Sequence, residues 1–263
     1  MDLKLAGKIA LVAGSSRGLG YAIAEVLVSE GVKVFINSRN PEELKTAALK
    51  LSEKTGNEVL TAPGDVTDLS DVEKIINQVI SKAAGLDLLV TNSGGPPSGK
   101  FETIDEDTWK RGLDLALLSH VRLIRTALPY LRQSETASVL TITSYSVKQP
   151  IPNLVLSNSI RAATIGLTKT LALELGGDGI RFNSILPGWT TTERVQELMK
   201  DRAEINNTSV EEEMHKQAVE SPFGRMASPE EVANPAVFLL SPAASYLTGV
   251  MLAVDGGMYK GTM

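Results

Sequence analysis

The 263-residue chain has no cysteine and only two histidines, His120 and His215. Disulfides, thiolate nucleophiles and cysteine-ligated zinc are excluded, and two imidazoles are too few for a histidine metal cage, so no metal is expected. Aromatic residues are only 5% of the chain, and the formal charge is −5. That balance gives no basic footprint for nucleic acid or an anionic membrane, and neither is expected as a partner. No apolar run approaches the ~20 residues needed to span a bilayer. Met1–Lys8 has neither the basic start nor the apolar core of a signal peptide, and the cytoplasm is the expected location. Catalysis must draw on hydroxyls, amines, carboxylates or a bound cofactor.

Glycine, in contrast, is placed with purpose. An apolar run from Ile9 to Ala13 stops at Gly14, passes Ser16, Arg17, Gly18, Leu19 and Gly20, and restarts as the helical pattern Tyr21–Ser29. A strand that ends at glycines and resumes as a helix aims unpaired backbone N–H groups and the positive helix end at one point, where a diphosphate sits. A Cβ there would block the tight turn or the approach of the ligand.

The rest of the chain continues this alternation. Short apolar runs near 8–13, 32–37, 58–62, 86–91, 137–143, 180–186 and 250–254 predict strands, with amphipathic helices between them. Crossover helices are expected to start at Pro41 after Asn40, at Asp68 after Thr67, near Asp107, and after Ser228-Pro229. The pattern predicts one α/β domain over 1–263: a Rossmann-type, doubly wound parallel sheet in a three-layer α/β/α arrangement. Thr190–Ser221 has no crossover role and is read as a substrate-lid insertion.

Four strand ends carry further motifs: Asn92-Ser93-Gly94-Gly95, Thr143-Ser144, Pro187-Gly188 and Asp255-Gly256-Gly257. Together with the glycine turn, these resemble the short-chain dehydrogenase/reductase family, particularly its 3-oxoacyl-carrier-protein-reductase-like members, over essentially the whole length. The resemblance implies a nicotinamide cofactor. It implies that Gly14, Ser16, Arg17, Gly18, Leu19 and Gly20 cradle the phosphates, and that Asp65 and Val66 contact adenine. Asn92, Ser93 and Gly94 would lie along the ribose and nicotinamide side, while Pro187, Gly188, Thr190 and Thr192 would hold the carboxamide and phosphate. It also implies a homotetramer built on the helices Asp107–Leu131 and Asn153–Leu175 and the apolar segment Ala243–Met258, with Leu117, Leu118 and Val121 facing outward.

Two places decide the chemistry. At the end of the second strand, Ser38-Arg39 stand where a carboxylate would bond the ribose 2′-hydroxyl of NAD(H). A guanidinium can fork onto phosphate oxygens, with Arg17 as a second cation, so NADP(H) is favoured. The family's acid–base pair is a tyrosine followed four residues later by a lysine; here Ser157 and Arg161 stand in those places, and Ala116 stands at the usual asparagine. Ser144 keeps the serine position. An alkyl hydroxyl is a poor substitute for a phenol, whereas Arg161 can still anchor the ribose and hold a positive field. Tyr145 and Lys148, on the loop after Ser144, offer a displaced acid–base pair or simply face water. Trp109, Trp189 and His120 read as packing residues and His215 as a solvated lid residue. Specificity would come from Gly95–Lys100, Gln149–Val155 and the lid. The resemblance thus leads to an NADP(H)-dependent reductase of a 3-oxoacyl or related ketone with a degenerate catalytic motif; the alternative is a non-catalytic NADP(H)-binding or scaffold protein.

Overall fold

In the computed structural model, which describes residues 1–262, every predicted apolar run contributes a strand. These are β1 (Ile9–Val12), β2 (Lys33–Ile36), β3 (Val59–Thr61), β4 (Leu88–Thr91), β5 (Ser138–Ile142), β6 (Arg181–Pro187) and β7 (Met251–Val254). They form one parallel sheet in the order β3-β2-β1-β4-β5-β6-β7. Because β1 pairs with both β2 and β4, successive crossovers leave it in opposite directions. A crevice therefore opens at the carboxyl ends of the central strands, where open α/β sheets bind ligands.

Between and after the strands come α1 (Gly18–Ser29), α2 (Pro41–Thr55), α3 (Leu69–Ala83), α4 (Glu106–Leu113), α5 (Ser119–Leu131), α6 (Val155–Glu174), α7 (Glu193–Asn206), α8 (Val210–Ala218) and α9 (Pro229–Leu240). Local chemistry explains several starts. Asn40 accepts from the backbone N–H groups of Glu42 and Glu43, Asp68 accepts from that of Asp71, and Ser228 forms a reciprocal capping box with Glu231. The sheet's two faces bury separate cores, as expected for period-two alternation. Ala10 and Val12 pack with α1, α2 and α9 on one side, whereas Leu11 and Ala13 pack with α3 and α5 on the other.

Two helix expectations are corrected. The helix expected over 107–131 is broken by a π turn at Asp114–Leu118, where the buried Ala116 carbonyl accepts a 2.6 Å hydrogen bond from Thr164 Oγ1 of α6. A side chain inserted into the backbone ladder is a recognised cause of such a bulge. The helix expected from Asn153 begins at Val155 instead, because Asn153 adopts a left-handed φ of 63°. The strands are also less uniformly apolar than predicted. Thr91, Thr141, Thr168 and Ser184 are buried and linked hydroxyl to hydroxyl at 3.1, 3.4 and 3.3 Å, which satisfies groups that water cannot reach. Among the described residues, no helix is long and apolar enough to cross a membrane.

Candidate active site

One cleft of about 670 Å³ runs along the carboxyl ends of the central strands. At one end lies the glycine turn. Gly14 has a φ of 57°, and a Cβ there would lie 2.9 Å from Asn92 Nδ2, which donates to the Gly14 carbonyl at the same distance. Gly14, Ser16, Arg17, Gly18 and Leu19 line the cleft. Gly20 does not; a Cβ on it would collide with the Gly14 carbonyl, so its absence lets α1 pack against the turn. Asn37, whose role the sequence reading missed, ties this end together: its side chain donates to the carbonyls of Ala62 and Gly64 at 2.8 and 3.1 Å. The signal was present in an uncharged polar residue directly after an apolar strand.

Next to it, Ser38 and Arg39 line the cleft, with Arg39 exposed and without an ion pair among the described residues. Val66 lines the same wall, but Asp65 does not. The Asp65 carboxylate instead accepts from the backbone N–H and hydroxyl of Thr67, at 2.8 and 2.7 Å, closing the turn before α3. The Asp65 Oδ1 atom therefore has a structural role in this turn.

At the other end the cleft is lined by Asn92, Ser93 and Gly94 after β4, by Ser144 after β5, and by Ser157 and Arg161 on α6. Pro187, Gly188, Thr190 and Thr192 after β6 complete this part of the lining. Arg161 is buried, and its Nη1 donates to the carbonyls of Ile142 and Thr143 at 3.1 and 3.2 Å. No carboxylate pairs with it among the described residues. Burial first, and then the charge of Arg194, lower its pKa to about 10, so it stays charged at neutral pH. Ser144 Oγ accepts from the Ser146 N–H at 3.1 Å, which fixes the hydroxyl at the strand end.

The displaced Tyr145/Lys148 pair is not brought together on the cleft. Lys148 is exposed outside it, 5.2 Å from the centroid of the Tyr259 ring. Its loop turns away after Ser144 through a short 3₁₀ segment, Tyr145–Val147. Tyr145 lines the cleft but is buried in a cluster with Ile151, Leu154, Trp189, Leu198, Met199, Met226 and Met258. Burial, and secondarily the Glu220 carboxylate, raise its phenol above the ordinary value, making it a weaker acid than a free tyrosine. Trp189 packs in this cluster and also lines the cleft, with Arg202 5.1 Å from its ring centroid. Trp109 packs against Ala116, Leu156 and Ile160, and His215 is exposed on the lid. The segment read as a lid folds as α7 and α8, joined where Glu213 accepts from Thr208 and Asn206. Arg194, Glu193 and Glu197 of α7 reach the cleft, which the sequence reading did not anticipate.

A sequence profile described as Enoyl-(Acyl carrier protein) reductase matches residues 13–259. A 3-oxoacyl-[acyl-carrier-protein] reductase FabG of Chlamydia muridarum is 31% identical over 98% of this chain and 100% of its own length. The chain belongs to the short-chain dehydrogenase/reductase family, among its 3-oxoacyl-carrier-protein-reductase-like members. A Bacillus subtilis protein, "Uncharacterized oxidoreductase YvrD", is 30% identical over 99% of both chains. Among solved structures, L-sorbose reductase of Gluconobacter frateurii, complexed with NADPH and L-sorbose, superposes with a TM-score of 0.94 at 34% identity, covering 99% of this chain and 100% of that one. An actinorhodin polyketide ketoreductase with NADPH gives 0.93 at 28% identity, with 97% and 98% covered.

The residues of this short-chain dehydrogenase/reductase fit a nicotinamide dinucleotide. They provide a turn that a Cβ would fill, exposed cations at one end and, at the other, a buried cation with donors to spare. Beside that cation, His120 is buried and neither ring nitrogen has a hydrogen-bond partner among the described residues. Burial first, and the Arg161 charge second, lower its pKa from 6.5 to about 3. Between those values the unfolded chain binds a proton that the folded one excludes, so His120 leaves stability intact above pH 6.5 and reduces it as the pH falls toward 3. The expected loss is about 1.4 kcal/mol per pH unit below the ordinary histidine value. His120→Leu should remove it, and urea unfolding at pH 7 and pH 5 checks this. Identical pH dependence in parent and variant would contradict the assignment.

Proposed function

We propose that the protein is an NADP(H)-dependent reductase of a 3-oxoacyl or related ketone. The observation that carries this reading is that Ser144 and the buried Arg161 line one end of the same cleft whose other end presents Arg39. The relatives support it: the L-sorbose reductase structure contains NADPH and L-sorbose, and the actinorhodin ketoreductase structure contains NADPH.

In this reading Arg17 and Arg39 hold the phosphates, Thr190, Thr192, Pro187 and Gly188 hold the nicotinamide side, and Arg161 anchors the ribose. When bound, the nicotinamide supplies a hydride to the carbonyl carbon. Ser144 donates its hydroxyl to the carbonyl oxygen, and Arg161 provides a fixed positive charge for the negative charge that develops there. Ser157 is shorter than a tyrosine by a ring and leaves room for water, through which a proton from bulk solvent reaches the oxygen, the relaying water being reprotonated from solvent. Lys148, outside the cleft, takes no part, and Tyr145 acts as a wall. The alternative, a non-catalytic NADP(H)-binding or scaffold protein, rests on Ser157 and Arg161 standing in the acid–base positions.

Cofactor choice is tested first. The protein should bind NADPH more tightly than NADH, and Arg39→Asp should reverse or erase the preference. Losing a charged phosphate contact costs about 1.5–3 kcal/mol, roughly ten- to a hundredfold in affinity. Equal fluorescence titrations of the unmodified protein with both cofactors would contradict this.

The proton side is tested by steady-state kinetics on ketones and 3-oxoacyl thioesters. Ser144→Ala should lower kcat by about 10²-fold with NADPH affinity nearly unchanged. A Ser157→Tyr/Arg161→Lys double variant that gains carbonyl reduction where the parent has none would favour the non-catalytic alternative. A parent that turns over and ignores Ser144→Ala would overturn the active-site assignment.

We also propose a homotetramer. Leu118 is 38% exposed, Leu173 is 76% exposed and Tyr246 is fully exposed, while β7 at the sheet edge remains only half-buried in one chain. Of the predicted stripe, Leu117 and Val121 are half-buried and only Leu118 stands clear. Such apolar surface is commonly covered by association. Light scattering at micromolar concentration should give a mass of four chains, and the mass of one chain would contradict it.

A further inference from the structure

The lid helix α7 carries carboxylates into the region assigned above to the cofactor's phosphates. Glu197 Oε1 lies 3.3 Å from Arg17 Nη1, and Glu197 Oε2 lies 3.8 Å from Arg194 Nη1. Glu193 lies beside the glycine turn: a Cβ built on Gly18 would stand 3.8 Å from its Oε2. At that same place α1 begins with no side-chain cap at Arg17 and no acidic residue in its first turn. Residues 193 and 197 are one turn apart, so both carboxylates leave the same side of α7.

The helix is fastened across the cleft by the same stretch of residues. Arg194 Nη2 donates to the Pro96 carbonyl at 2.8 Å, and Gly95 leaves room for the guanidinium, since a Cβ there would lie 3.0 Å from Arg194 Nε. One turn beyond Glu197, Asp201 accepts from Ser98 Oγ at 3.4 Å. Arg194, Glu197 and Asp201 therefore bridge α7 to the loop after β4 and to the glycine turn.

We propose, on the reading that this cleft holds NADPH, that Glu193 and Glu197 are internal competitors for the cofactor's phosphates. Glu197 engages the Arg17 guanidinium, a group that a diphosphate would use, Glu193 stands beside the amino end of α1, and both belong to the helix that borders the cleft. Phosphate entry then displaces Glu197 from Arg17 and repels the neighbouring Glu193, and cofactor exchange is coupled to movement of α7. Glu197 also partners Arg194, so its displacement frees Arg194 to pair with the incoming anion. The competition is modest in size, because the Arg17 and Glu197 side chains are 60% and 47% exposed.

NADPH titrations by fluorescence on the full chain test this. Glu197→Gln and Glu193→Gln should each tighten NADPH binding by about two- to fivefold, and the gain should shrink at high salt. Glu204→Gln, an exposed carboxylate of the same helix outside the cleft, should leave affinity unchanged. Unchanged or weaker binding in both cleft variants, or an equal gain in Glu204→Gln, would overturn the inference. If the parent itself binds no NADPH, it is the reductase reading that fails, so the two failures are distinguishable.

Discussion

The structure turns on a buried guanidinium with no acidic partner. Arg161 sits under one end of the cleft, and its Nη1 is held by the carbonyls of Ile142 and Thr143. Removing a charge from water costs several kcal/mol unless other groups compensate. Two carbonyls compensate in part and also fix the direction of the side chain. The remaining donors face a cleft whose ligand, on the proposed reading, completes the compensation with ribose hydroxyls. His120 stays neutral for the same reason: burial and the adjacent cation both oppose a second charge.

From that cation the rest of the arrangement follows a gradient of exposure. The end nearest Arg161 is walled by the cluster of Tyr145, Ile151, Leu154, Trp189 and Leu198. The other end is open, with Arg17 and Arg39 exposed. Charge–charge interactions are strong where water is excluded and weak where it is not. On the proposed reading, a single cation under the buried end has more leverage than two at the open end, where the carboxylates of α7 exchange with a ligand at low cost. The π turn at Ala116 belongs to the same design, since Thr164 occupies its carbonyl and binds the broken helix to the one that carries Arg161.

Much of this was legible in the sequence because it is local. Glycine spacing, the caps at Asn40, Asp68 and Ser228, and strand-end motifs are set by neighbours within a few residues, and the fold follows from their order. Features that depend on distant partners were not legible. Nothing near Ala116 announces that Thr164, 48 positions away, would take its carbonyl. Lys148 lies three residues past Tyr145, but the 3₁₀ turn sends it to the Tyr259 ring and away from the cleft. Asp65 carries a carboxylate in the expected place, and its Oδ1 also holds Thr67 in the turn before α3. The contribution of Glu193, Arg194 and Glu197 depends on where the lid comes to rest, which residue types do not state.

The central claim is carbonyl reduction over a fixed positive charge without a titrating acid side chain. The pH dependence of kcat for reduction of a 3-oxoacyl thioester, measured from about pH 6 to pH 9 in the parent and in Tyr145→Phe, tests it most directly. The account predicts a profile flat from about pH 6 to pH 8 in both proteins, because serine hydroxyls and water do not titrate there and the Arg161 guanidinium, lowered to about 10, stays charged. A profile that titrates in the parent and loses that titration in Tyr145→Phe would make the buried phenol the acid and contradict the account.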